Sequence, residues 1–137
     1  MKTVLFVCVH NAGRSQAAEA FLRHHAAALN TPIIAMSAGT DGGAVLNETV
    51  VALMQSRGIS LEGQYPKILT QSIADAADQI ITMGCGVDAE KCPARVYFSD
   101  DWGLDDPKGR KEGEVNAILD DIESRVLGLL SELKGSL

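Results

Sequence analysis

The run Thr3 to Val9 is short, nearly unbroken in apolar and β-branched residues, and followed at once by polar, glycine-containing sequence. Such a run fits a strand buried on both faces, the condition of a parallel sheet covered by helices. Ser15 to Leu29 then places Ala18, Phe21, Leu22 and Leu29 at helical spacing, so the chain opens as strand, tight loop, helix. The alternation continues. Pro32 to Met36 is expected as a second strand and Asn47 to Arg57 as a helix capped by Asn47 and stopped by Gly58. Ser72 to Ala77 reads as a short helix, and Gln79 to Met83 and Arg95 to Phe98 as two further strands. Val115, Ile118, Leu119, Ile122, Val126, Leu129, Leu130 and Leu133 form one apolar stripe, the core-facing side of a terminal helix. Strands alternating with helices predict an α/β fold, a small four-stranded parallel sheet with helices on both faces. In that architecture functional groups gather at the carboxyl ends of the strands.

At 137 residues one domain over 1–137 is expected. The net charge of -6, from 12 basic and 18 acidic residues, speaks against a nucleic-acid backbone or an anionic membrane as partner, since both need a dense cationic surface. The opening apolar run is broken by His10-Asn11 too early for a leader peptide, and no apolar stretch approaches the ~20 residues of a membrane span. A cytoplasmic protein is expected. Three cysteines, an odd number at separations of 77 and 7 positions, do not resemble a secreted disulfide framework and point to reactive thiols in a reducing compartment.

Cys8-Val9-His10-Asn11-Ala12-Gly13-Arg14-Ser15 sets a thiol and a guanidinium six positions apart, between a buried strand and the first turn of a helix. Five intervening residues suffice to wrap backbone N–H groups around one tetrahedral oxyanion, and the helix N-terminus adds partial positive charge. Arg14 can close the ring with two parallel N–H bonds. The same field favours the thiolate form of Cys8, to which Ser15 can donate a hydrogen bond. The substrate-binding candidates are therefore Val9, His10, Asn11, Ala12, Gly13, Arg14 and Ser15, around Cys8 as nucleophile. His24 and His25, adjacent on a helix, make a poor metal pair, and no metal site is expected.

Cys85 and Cys92 have six residues between them, more than the two to four of common zinc sites, with no further ligand at the right spacing. The intervening segment can bring the two within the ~4.4 to 6.8 Å between Cα atoms that a disulfide needs, or hold them far apart. Cys85, following the Gln79 to Met83 strand, shares a sheet edge with Cys8, so the chain offers three thiols in reach of one another. Between the last strand and the terminal helix, Asp100-Asp101-Trp102-Gly103-Leu104-Asp105-Asp106-Pro107 is an acidic turn. Asp106, held extended by Pro107, is the candidate proton donor to a departing oxygen.

These residues together resemble the arsenate reductases of the low-molecular-weight tyrosine phosphatase superfamily. The resemblance rests on Cys8, Asn11, Arg14 and Ser15, Ala18 and Glu19 on the first helix, Ser37-Ala38-Gly39, the Cys85 and Cys92 pair, and Trp102 to Pro107. It implies a flavodoxin-like topology and a reaction in which Cys8 attacks arsenate held by Arg14 and the loop, while Asp106 protonates the leaving oxygen. Cys85 then attacks Cys8, arsenite departs, and Cys92 resolves the disulfide for reduction by thioredoxin, with no cofactor. His10-Asn11-Ala12-Gly13 is also similar to relatives that use a low-molecular-weight thiol with a glutaredoxin-type protein; the cysteine pair favours thioredoxin. Some relatives bind potassium beneath the loop through residues matching Asn11, Glu19 and Ser37, with an acidic residue where this chain has Lys67, so the Lys67 ammonium is expected in place of the ion. A monomer is expected. The alternatives are a low-molecular-weight tyrosine phosphatase and an oxyanion-binding redox sensor; against the phosphatase, Lys108-Gly109 follows Asp106-Pro107 where aromatic residues would line a phosphotyrosine slot.

Overall fold

Residues Lys2–Cys8 form the central strand β1, buried from Thr3 onward because both its faces meet apolar layers. The computed structural model describes residues 1–41, 43, 45–84 and 98–135. After β1 come helix α1 (Arg14–Ala28), strand β2 (Ile33–Gly39), helices α2 (Glu48–Ser56) and α3 (Gln71–Ala76), strand β3 (Gln79–Thr82), the two-residue strand β4 (Asp100–Asp101) and helix α4 (Glu112–Gly135). The strands lie parallel in the order β2-β1-β3-β4. The chain thus runs from β1 outward to β2 and then crosses to β3 on the other side. That reversal opens a crevice beyond the carboxyl ends of β1 and β3.

Strand alternation sorts the core into two layers. Val4, Phe6 and Cys8 face α1, α2 and α4, packing with Phe21, Leu22, Met54, Leu119 and Leu130. Leu5 and Val7 face the other way, onto Leu69, Ala74 and Ile80. The apolar stripe of α4 is core-facing as its spacing predicts: Val115, Leu119, Ile122, Val126, Leu129, Leu130 and Leu133 are buried, and Ile118 packs at the margin. Each fully buried aliphatic side chain contributes on the order of 1.5–3 kcal/mol.

Three expectations change. β2 runs to Gly39 instead of ending at Met36, because Ser37, Ala38 and Gly39 continue the register opposite Phe6, Val7 and Cys8. Leu29, expected on the apolar face of α1, is the C-cap residue and 48% exposed. Of the strand expected over Arg95 to Phe98, residues 95–97 lie outside the described residues. Phe98 is not in a strand and packs against the second layer, and the strand beside β3 is Asp100–Asp101, in register with Ile81 and Thr82. Side-chain bonding supports so polar a strand, since Thr82 Oγ1 donates to Asp101 Oδ1 at 2.7 Å.

Candidate active site

Cys8 ends β1, buried at 3% exposure, and the chain curls through residues 9–13 into α1. The carbonyls of this loop are held from outside. Cys8 O accepts from Thr40 N at 3.0 Å, Val9 O from Asp41 N at 2.8 Å, His10 O from Gly43 N at 3.1 Å and Ala12 O from Asn47 N at 2.7 Å. Asn11 O accepts from Gln16 Nε2 at 3.0 Å. In a trans peptide the C=O and the next N–H point to opposite sides, and the described chain has no cis bond. Fixing these carbonyls therefore turns the amides of Val9 to Gly13 to the other side of the loop. Asn11 shows the direction, its N–H lying 3.2 Å from Cys8 Sγ. The curl depends on Asn11 at φ +53°, a left-handed conformation that asparagine tolerates better than most residues. Gly39 permits the close support: a Cβ there would meet Val9 O at 2.6 Å.

The thiol is surrounded by donors. Ser15 Oγ lies 2.8 Å from Cys8 Sγ and accepts from Asn11 Nδ2 at 2.7 Å. Arg14, 5% exposed, donates from Nη1 to Leu104 O at 2.8 Å and Met83 O at 3.3 Å. Those carbonyls belong to the segments leaving β3 and β4, so the parallel sheet aims the guanidinium, whose other N–H groups have no hydrogen-bond acceptor among the described residues and can serve an oxyanion. Gly84 makes this junction possible, with φ +114° and a would-be Cβ 2.5 Å from Leu104 N.

The acidic turn separates into structural and available carboxylates. Asp101 accepts from Thr82 and from Gly103 N, and Asp105 sits 3.9 Å from Arg110. Trp102 and Leu104 are buried, the indole 5.5 Å from the Phe6 ring. Asp106 is exposed, its Oδ1 accepting from Lys108 N at 3.0 Å, and it borders the cavity of about 480 Å3 that holds Cys8, His10, Gly13 and Arg14. His10 is on the rim, exposed.

Beneath the loop, Glu19 is 4% exposed. Its Oε1 accepts from Ser37 Oγ at 2.8 Å and lies 3.9 Å from Lys67 Nζ; its Oε2 meets Arg23 at 2.9 Å. Lys67 also donates its backbone N–H to Asn11 Oδ1 at 3.0 Å. Burial lowers the Lys67 pKa below 10.5, with Glu19 pulling it up and Arg23 pushing it further down. The loop-support residues Asn11, Glu19, Ser37 and Lys67 thus come together. Cys85 and Cys92 lie outside the described residues. Sequence reasoning missed Gln16, the carbonyls of Met83 and Leu104 that anchor Arg14, and the 40–43 segment behind the loop. Of these only Gln16, a polar residue one place beyond Ser15 and 0% exposed, left a signal in the sequence.

A buried thiol with a guanidinium at the carboxyl edge of a parallel sheet, inside a loop of converging amides, defines an oxyanion-processing thiol protein of the α/β class. The sequence profile of the low molecular weight phosphotyrosine protein phosphatases matches residues 3–136, and the chain belongs to that family. It is 31% identical over 134 residues to a glutaredoxin arsenate reductase of Synechocystis, covering 97% of this chain and 99% of that one. A thioredoxin-dependent arsenate reductase structure from Corynebacterium glutamicum superposes with a TM-score of 0.81 at 33% identity; it covers all of this chain, which spans 64% of that longer one. A low molecular weight phosphotyrosine phosphatase from Vibrio cholerae shares the fold with a TM-score of 0.85 at 23% identity, over 98% and 97% of the two chains.

Proposed function

We propose that this chain, as a single domain over 1–137, reduces arsenate to arsenite with Cys8 as nucleophile and Cys8, Cys85 and Cys92 as a thiol relay regenerated by thioredoxin. The observation that carries the reading is the buried Cys8 sulfur, bonded by Ser15 and Asn11 at the floor of a loop whose carbonyls are held from outside, beside an Arg14 anchored on Met83 O, an arrangement suited to one oxyanion. Identity above 30% to arsenate reductases along nearly the whole chain supports it. Arg14 and the loop amides hold arsenate while the Cys8 thiolate attacks arsenic, and an oxygen leaves as water with a proton from Asp106. Cys85 as thiolate attacks Cys8 Sγ, an S–S bond forms, and the S–As electron pair stays on arsenic, which is reduced from As(V) to As(III). Cys92 attacks Cys85 and frees Cys8; the Cys85–Cys92 disulfide then takes two electrons from a thioredoxin dithiol. Reachability is supported by β1 and β3 being adjacent and parallel, with Met83 N donating to Val7 O at 2.8 Å just before Cys85 in the chain.

Arsenate-dependent NADPH consumption with thioredoxin and thioredoxin reductase tests the relay. Wild type should turn over; Cys8→Ser, Cys85→Ser and Cys92→Ser should each stop multiple turnover. Sustained turnover by Cys85→Ser would remove the relay. Substituting a low-molecular-weight thiol with a glutaredoxin-type protein in the same assay decides the donor. The phosphatase alternative is disfavoured by the mouth of the cavity, where no Phe, Tyr or Trp is among the described lining residues. Lys67 takes the place of a potassium ion beneath the loop, holding Glu19 by charge. A cytoplasmic monomer remains the expectation, its location supported by a relay that needs reduced thiols; among the described residues no helix is long and apolar enough to cross a membrane.

A further inference from the structure

Gln16 is fully buried, its side-chain nitrogen 3.0 Å from Asn11 O, 2.8 Å from Asn11 Oδ1 and 2.9 Å from Tyr65 O. Two of these are backbone carbonyls that can only accept, so the amide nitrogen faces them and Oε1 faces the other way. There Oε1 accepts from Gln64 Nε2 at 2.7 Å. Asn11 is oriented just as firmly, because its Oδ1 also accepts from the backbone N–H of Lys67, which can only donate. Asn11 Nδ2 must then face Ser15 Oγ, at 2.7 Å. That bond leaves the one Ser15 hydroxyl hydrogen free for Cys8 Sγ, 2.8 Å away, and a Cys8 thiolate, which has no hydrogen of its own, can only accept it.

We propose that Gln16 and Gln64 are positioning residues: a one-way chain of donors, Gln64 to Gln16 to Asn11 to Ser15, holds Ser15 as the donor to the Cys8 thiolate. Each donor polarises the next, so the hydroxyl that meets the Cys8 sulfur is oriented from outside the loop. Gln16 has a second task in the same bond set. By holding Asn11 O it completes the row of outward carbonyls, which turns the Ala12 amide toward the oxyanion side. The inference rests on Cys8 being the nucleophile of the proposed reaction, but its readout needs neither arsenate nor thioredoxin.

Iodoacetamide alkylation of Cys8, followed by mass on the peptide that carries it, reads the thiolate directly. Gln16→Met keeps length and apolar contact while removing the donors. It should slow Cys8 alkylation about tenfold at neutral pH, with the plateau rate in alkali unchanged, as expected for weakening a hydrogen bond to a charged group. Among the described residues, the charged and titratable groups bordering the cavity besides Cys8 itself, His10, Arg14, Glu48, Asp106 and Lys108, are untouched by the change. In a Ser15→Ala background the same substitution should slow alkylation no further, because the chain is already cut at its last link. An unchanged rate in Gln16→Met, or equal slowing in both backgrounds, overturns the proposal. Should Gln16→Met prove unfolded by thermal melting, Gln64→Met at its half-buried site carries the test, with about twofold slowing in the same direction expected and an unaltered rate overturning it.

Discussion

Arg14 shows how little of a residue's role lies in the residue alone. Its charge is legible in the sequence six positions after Cys8, but its aim comes from Met83 O and Leu104 O, which are 69 and 90 positions away and presented by the ends of other strands. No local pattern announces such carbonyls. Arg14→Lys keeps the charge and loses the planar fork, and should lower kcat/KM for arsenate about 10²-fold with the fold intact, measured by the coupled assay and by melting. Lys67 makes a different prediction. Burial lowers its pKa below the 10.5 of an unfolded chain, so between those two values the unfolded chain binds more protons, and the lysine's contribution to stability rises with pH across that window. Wild type should gain on Lys67→Met as pH climbs toward 10.5, read from urea midpoints at a series of pH values. At neutral pH potassium should leave the wild-type midpoint where sodium leaves it, while Lys67→Asp should become potassium-dependent.

Among the elements, α2 is the most readable from sequence. Asn47 is its cap as expected, with the side chain accepting from Val50 N at 3.1 Å, and Gly58 at φ +79° follows its end. The backbone of the same residue, less expectedly, holds the anion loop through Asn47 N to Ala12 O. Asn47→Ala should therefore cost about 1 kcal/mol in a denaturant melt and also raise KM for arsenate, since fraying at the cap loosens Ala12. A raised KM without lost stability, or the reverse, would separate the two roles. β2 was harder to read: Ser37, Ala38 and Gly39 carry little strand preference and are strand because β1 dictates the register. β4 is harder still, two aspartates made into a strand by Thr82 and by the backbone of β3. Periodicity finds elements whose burial pattern is their own, and misses those whose partners are remote in sequence.

Taken as a whole, the molecule sets a surface charge of -6 around a site for an anion. Surface carboxylates are screened within ~8 to 10 Å at ordinary ionic strength, whereas one guanidinium and a ring of amides act at contact. Capture of arsenate should therefore owe little to long-range attraction. Raising salt at fixed pH should leave kcat/KM level or increase it slightly, as repulsion is screened; a steep fall would mean that the field of the site reaches well into solvent.

The outward hydrogen bonds of the loop carry one more consequence. Thr40 and Asp41 just past the end of β2, Gly43, and Asn47 at the cap of α2 grip its carbonyls, so the receptor is shaped when the chain folds and not when its guest arrives. An oxyanion entering it has little backbone entropy to remove, so the share of binding energy otherwise spent on ordering the loop is kept as affinity. Such a ligand protects against global unfolding and not merely local fraying, because a chain that has lost the sheet has also lost the receptor.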